Sequence, residues 1–255
     1  MAHRPQRFER EWLQASLAGF LADATLIADV LYPVAQGKEA SVYACRGGAD
    51  QQHALVAAKV FRPRRYRNLR NDGVYRHGRA IYDRDGRVRS KGTRALQTRS
   101  RYGRHLRQRS WVEHEVRALR KMGALGVPVP TPLAATERVV LMTFIGDEDG
   151  PASPLNRLPL TRAEAASAWV QVREGVYRAW RAGLVHADLS AYNLLYHRGQ
   201  VTFIDWPQVV DRWRNPWAVD LLQRDLERVC SYFASHGVPC SAEAELDLLL
   251  SDWSG

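Results

Sequence analysis

The chain has 255 residues, 45% hydrophobic and 25% charged, enough to bury a sizeable core in one domain or two. Its three cysteines, Cys45, Cys230 and Cys240, are odd in number and form no CxxC pair, which argues against a disulfide framework or a metal site and for a reduced, cytoplasmic chain. The net charge of +10 is unevenly spread, because residues 62–109 hold seventeen Arg and Lys against Asp72, Asp83 and Asp85, so the remainder is net acidic.

Arg4, Arg7, Glu9, Arg10 and Glu11 precede an eleven-residue uncharged run, Trp12 to Ala22, that ends at Asp23. That run is too short to span a bilayer and lacks a cleavage pattern, so no membrane segment is expected. An amphipathic helix packed on the first lobe is expected within an extension covering residues 1–33. Gln36-Gly37-Lys38-Glu39-Ala40-Ser41 has one glycine, so it is neither a Walker loop nor a three-glycine kinase loop, and it reads equally well as a hairpin. Leu55–Phe61 reads as a strand whose alternation puts Ala57, Lys59 and Phe61 on one face. Only four of the 37 basic residues are lysines (Lys38, Lys59, Lys91, Lys121), and two of these fall in this strand and the Gly37 loop. A compact ammonium suits a phosphate cradle differently from a guanidinium fork, although a solvent-facing strand lysine would read the same way.

The basic stretch 62–109 has little apolar periodicity and carries Gly, Asp and Tyr at intervals, so a long mobile insertion is expected. It is either a solvated loop or an electrostatic arm for RNA or another polyanion, with Tyr66, Tyr75, Tyr82 and Tyr102 available for stacking. Helical spacing then resumes with Val112, Val116, Leu119 and Met122, and Glu115 lies inside that apolar stripe. A buried carboxylate is costly unless paired, which makes Lys59 its natural partner; Glu113 is the ordinary exposed acid of the same helix. Val139–Met142 reads as a short strand, followed by Thr143-Phe144-Ile145-Gly146 and an acidic stretch from Asp147 to Pro154.

His186-Ala187-Asp188-Leu189-Ser190-Ala191-Tyr192-Asn193 reads as a loop, and Val201–Ile204 as a strand that delivers Asp205 at its end. Two carboxylates and a carboxamide on successive short loops form a kit for phosphoryl transfer, which depends on positioning and charge neutralisation by metal ions. In that chemistry Asp188 fits the base that orients a hydroxyl, and Asn193 with Asp205 fits the ligands of Mg²⁺. Only 50 residues follow Asp205, with one helix marked by Leu222, Leu226, Val229 and Phe233, and no Ala-Pro-Glu motif, so the peptide platform of ordinary protein kinases is not expected.

This array resembles the RIO kinases, an atypical family of ATP-dependent kinases and ATPases. The resemblance rests on His186-Ala187-Asp188-Leu189-Ser190 with Tyr192-Asn193, on Ile204-Asp205 with Gln208, and on Gly37-Lys38-Glu39-Ala40 with Val42-Tyr43, and runs from about residue 34 to 235. Ala191 stands where the family often has an acidic residue, and Trp206-Pro207 is not its usual spacer. The resemblance implies an α+β, two-lobed protein-kinase-like fold: a β-rich small lobe at 34–142, a hinge at 143–146 and a reduced, mostly helical large lobe at 147–255. It implies that Lys59, paired with Glu115, reaches the phosphates of ATP, with Gly37, Lys38 and Ser41 near them. Adenine would sit between Val42, Ala57 and Met142, held by the carbonyl of Thr143 and the amide of Ile145.

The resemblance also implies Mg²⁺-dependent transfer from ATP to a protein serine or threonine, or to water, with a phospho-aspartate at Asp205 as one route. Ribosome maturation is a function of RIO relatives and is not carried over to this chain; RNA or a ribosomal particle is a partner class only through the basic insertion at 62–109. Two other readings compete. A small-molecule phosphotransferase of the aminoglycoside or choline kinase type shares the His-x-Asp and Ile-Asp-Trp loops, but the short tail leaves no room for its helical substrate subdomain. A non-catalytic, ATP-gated RNA-binding assembly factor would use the basic arm instead of turnover.

Overall fold

A computed structural model describes residues 7–37, 39–62 and 101–251. Lys38 and most of the basic insertion, including Tyr66, Tyr75 and Tyr82, lie outside the described residues. Five strands, β1 (Ile27–Gln36), β2 (Ala40–Gly47), β3 (Leu55–Phe61), β4 (Pro132–Ala135) and β5 (Val139–Thr143), form an antiparallel sheet in the order β1-β2-β3-β5-β4.

Strand alternation divides this sheet into two faces with different duties. Val56, Ala58 and Val60 of β3 join Tyr43, Cys45, Val139 and Leu141 on the outer face, where helix α1 (Arg7–Asp23) seals them with the fully buried Leu17. Ala57 and Phe61 face inward with Val140 and Met142, against Val112, Val116, Leu119 and Met122 of helix α2 (Arg101–Ala124). The inner core continues without a break into the second lobe, so α2 is shared by both.

Two boundaries differ from the sequence reading. β1 begins at Ile27, inside the stretch read as a helical extension, because its ladder with β2 shifts register three times and most of its residues are exposed, which hides the period of two. Helix α2 begins at Arg101, inside the stretch read as insertion; the segment Arg101–Arg109 is almost wholly polar, and a helix without an apolar stripe leaves no periodic signal.

The second lobe holds short strands and three helices. A hairpin of β6 (Gly146–Asp147) and β7 (Gly150–Pro151) follows the connection from β5, and β8 (Ser153–Pro154) comes next. Helix α3 (Arg162–Arg181) starts at a capping box, in which the Glu164 amide donates to Thr161 Oγ1 and the Thr161 amide to Glu164 Oε2. β9 (Leu184–Val185) leads into the His186 loop, and the hairpin β10 (Leu194–His197) and β11 (Gln200–Phe203) delivers Asp205. That hairpin turns on Arg198 and Gly199 at φ 49° and 80°. β12 (Val210–Asp211) pairs back on β9, and helices α4 (Ala218–Ser235) and α5 (Ala242–Ser251) close the lobe.

Cys230 and Cys240 are joined in a disulfide, against the expectation of three free thiols. The turn after α4 brings the second cysteine back to a Cα–Cα distance of 5.1 Å, a separation that a count of cysteines does not reveal. No described helix is long and apolar enough to cross a membrane.

Gly175 sets how closely α3 approaches β11, because a Cβ there would lie 2.4 Å from Cζ of Phe203, the residue two before Asp205. Gly175→Ala is therefore expected to push Phe203 aside and destabilise the fold by about 1–3 kcal/mol, the usual cost of overpacking a closed core. Thermal unfolding should record a drop of several degrees, whereas Gly150→Ala, in open space but at φ 142°, should act only through local backbone strain.

Candidate active site

Between the inner face of the sheet and the second lobe lies a cleft of about 610 Å³. Of the residues singled out from sequence, Gly37, Val42, Ala57, Lys59, Glu115, Met142, Thr143, Ile145, Asp188, Asn193 and Asp205 all line it. Ser41 does not. Alternation turns it to the opposite face of β2 from Val42, where it is fully buried and its Oγ accepts from Arg62 Nη2 at 3.1 Å.

Lys59 is the centre of the cleft. Its Nζ donates to Glu115 Oε1 at 2.5 Å and to Asp205 Oδ1 at 2.7 Å, which ties the sheet, helix α2 and the end of β11 at one point. Burial alone would lower the Lys59 pKa, but Asp205 and Glu115 together hold it above the usual lysine range. Burial raises the Glu115 carboxyl despite the lysine beside it. Asp205 would be raised by burial too, yet the charge of Lys59 and its hydrogen bond keep the carboxyl below the usual range.

Helix α2 is held so that Glu115 can make this contact. His114 Nε2 meets the Val209 carbonyl at 2.8 Å, and Lys121 Nζ donates to the Ala182 carbonyl at 2.7 Å, both in the second lobe. The Phe203 amide donates to the Pro128 carbonyl at 2.8 Å, tying the segment after α2 to β11.

Two non-glycine residues of this site, Ala187 and Asp205, have φ of 66°. Left-handed backbone is uncommon for such residues and persists where surroundings over-determine it, often at functional sites. At Ala187 the surroundings are residues of α4. Asp225, 2% exposed, accepts from the Ala187 amide at 2.7 Å and the Leu189 amide at 3.0 Å, while Arg224 Nη2 donates to the Ala187 carbonyl. Burial pushes the Asp225 carboxyl up to about 7, against the opposing pull of Arg224 and the two amides.

His186 joins the two loops. Its Nδ1 accepts from the Asp188 amide at 3.3 Å, so its Nε2 carries the proton and donates to the Ile204 carbonyl at 3.0 Å. Burial lowers its pKa and keeps the ring neutral, and the ring packs on Trp206 with centroids 4.5 Å apart. Asn193 Nδ2 donates to the Asp188 carbonyl at 2.8 Å, and the Ile204 amide to the Asn193 carbonyl at 3.0 Å. Asp188 itself accepts from Arg228 Nη1 at 2.9 Å and Gln208 Nε2 at 3.4 Å.

Asp225, Arg224 and Arg228 were missed from sequence. For Asp225 a signal existed: it sits among Leu221, Leu222, Leu226 and Val229, all buried on α4, the same anomaly of an acid inside an apolar stripe that marks Glu115.

A β-rich lobe and a mostly helical lobe joined by one short connection, with a Lys–Glu pair facing an Asp and a His-x-Asp loop, define a protein-kinase-like fold. Sequence comparison narrows this: residues 72–246 match the RIO domain, and the chain belongs to the RIO kinase family. It is 32% identical to the RIO-type serine/threonine-protein kinase Rio1 of Haloferax volcanii over 220 residues, 86% of this chain and 68% of that protein. It is 37% identical over 140 residues to the serine/threonine-protein kinase rio1 of Schizosaccharomyces pombe and 35% over 145 residues to human serine/threonine-protein kinase RIO1. Those alignments span only 28% and 25% of the two eukaryotic proteins.

Asp225→Ala would leave the buried amides of Ala187 and Leu189 without their acceptor, at roughly 1–3 kcal/mol for each orphaned group. The expected outcome is a lower melting temperature together with faster hydrogen exchange at those two amides. Protection at the Lys59 amide in β3 should change less.

Proposed function

We propose that this chain is an ATP-dependent phosphotransferase acting on serine or threonine of a protein, itself included, or on water. The observation that carries the reading is Lys59 held between Glu115 and Asp205 in a cleft that also contains Asp188 and Asn193. Lys59 would bind nucleotide phosphates, with Glu115 fixing its ammonium. Val42, Ala57 and Met142 would flank adenine, with the backbone of Thr143 and Ile145 at its edge, and the loop at Gly37 over the phosphates.

The donor set fits Mg²⁺. Asn193 commits its Nδ2 to the Asp188 carbonyl, which leaves Oδ1 as its metal-binding atom, and the Asp205 side chain keeps 42% of its exposure. A carboxylate and an amide oxygen, completed by phosphate and water oxygens, is the shell that Mg²⁺ prefers to an all-protein cage. When bound there, Mg²⁺ would neutralise phosphate charge. Asp188 would accept the proton of the attacking hydroxyl, and His186 keeps its loop in register with that of Asp205.

Asp188→Asn keeps the shape of the loop but removes the base. Turnover is expected to fall by two to four orders of magnitude, the usual contribution of a general base, while the affinity for an ATP analogue stays within a few-fold. Unchanged turnover would sink the assignment.

Transfer to water has a covalent route open to it. An Asp205 oxygen would attack the terminal phosphorus, ADP would leave, and water would hydrolyse the acyl phosphate to carboxylate and phosphate. Labelled ATP should then yield a phosphoenzyme that hydroxylamine removes and that maps to Asp205. A hydroxylamine-resistant label on Ser90, Ser100 or Ser110 would show serine autophosphorylation instead.

A further inference from the structure

Asp188 is contacted by a cation whose place in the structure is unlike that of Lys59. Arg228 is one turn beyond Arg224 on α4, and its Nη1 lies 2.9 Å from Asp188 Oδ1. The loop does not need this contact for its shape. Asp225 already holds the amides of Ala187 and Leu189, and Arg224 the carbonyl between them, whereas the Arg228 hydrogen bond goes to the side chain that would take the acceptor's proton.

The pair is also weak by position. The Arg228 and Asp188 side chains are 42% and 35% exposed, so solvent screens their attraction, and a guanidinium carries further donors that can serve another anion. Its neighbourhood needs positive charge. Glu39, Glu115, Asp188 and Asp205 line the cleft against Lys59 and Arg157, and a nucleotide would add phosphates, so a cation beside Asp188 would ease the approach of an acceptor with acidic groups near its hydroxyl.

We infer that Arg228 is a specificity-determining residue that selects a protein serine or threonine flanked by acidic residues, binding the flanking carboxylate while Asp188 takes the hydroxyl proton. The inference rests on the phosphotransferase reading above. Recognition would be by charge at a half-exposed site, so the preference should be moderate and sensitive to salt.

The test compares kcat/KM for three short peptides, each with one serine flanked by glutamate, alanine or arginine, with phosphate release from ATP followed in parallel. The unsubstituted chain should favour the glutamate peptide over the alanine peptide about twofold to fivefold, as expected of a solvent-screened charge contact. Arg228→Ala should bring that ratio to about one, Arg228→Lys should restore part of it, and Arg228→Glu should shift preference to the arginine peptide. Each ratio is taken within one protein, so a loss of folded material in a variant cancels. A ratio that survives Arg228→Ala, or equal loss on all three peptides, would reduce Arg228 to a support for Asp188 and overturn the inference. Phosphate release without a preference among peptides would overturn it too and leave the phosphotransferase reading standing, whereas loss of both activities in the unsubstituted chain would remove that reading itself.

Discussion

One buried cation holds the two lobes to a common geometry. Lys59 is only 6% exposed, and Glu115 2%, so neither charge can fall back on water if the other moves away. Removing one partner from such a buried pair typically costs about 3–5 kcal/mol because the other is left uncompensated. Because Asp205 shares the same ammonium, the constraint spans three elements: β3 brings the lysine, α2 the glutamate and the end of β11 the aspartate. The ties from α2 to Val209 and Ala182 are then part of the same constraint, since a rotated α2 would withdraw Glu115 from Lys59.

The His186 loop obeys a second constraint of the same physical kind. Asp225 is a buried carboxylate on an apolar helical face, and it is satisfied by backbone amides instead of a lysine. The φ of 66° at Ala187 is unfavourable for alanine by itself, and the helix offsets that cost through bonds on both sides of the peptide. His186 then couples this loop to Ile204, so the positions of Asp188 and Asp205 are not independent. A neutral ring serves this coupling because one nitrogen must accept while the other donates, and burial keeps it neutral.

Much of this was legible in the sequence because burial leaves periodic traces. Strand alternation put Lys59 on one face with Ala57 and Phe61, the face that turns inward, and the helical stripe around Glu115 exposed a charge that required a partner. The fold class and family followed from the spacing of the His186 loop and Asp205. What escaped had no such trace. β1 is bulged and largely exposed, and the first turns of α2 are polar, so neither carries the period of its element. Ser41 was placed near the phosphates by the family resemblance, although strand geometry sends it and Val42 to opposite faces. The Cys230–Cys240 bond depends on a turn whose direction a cysteine count cannot supply. Asp225 was overlooked although its signal was the same as that of Glu115, because α4 was read only for its apolar stripe.

The ion pairs of the cleft differ in how much water they admit: Lys59 and Glu115 are buried, Asp205 beside them keeps 42% of its side-chain exposure, and Arg228 and Asp188 are both half-exposed. Lys59 and Glu115 satisfy each other out of water, so they hold a fixed geometry into which the proposed nucleotide phosphates would fit. At the Asp188 end the partners are half-exposed, and exchanging one anion for another there changes the energy little. A nucleotide is the constant reactant and suits a rigid site, because preorganised charge needs no rearrangement at the moment of transfer. An acceptor must arrive, react and leave, and it suits a site whose ionic contacts are shallow enough to be traded. The division places the fixed charges on β3 and α2 and the exchangeable contact on the half-exposed side of α4.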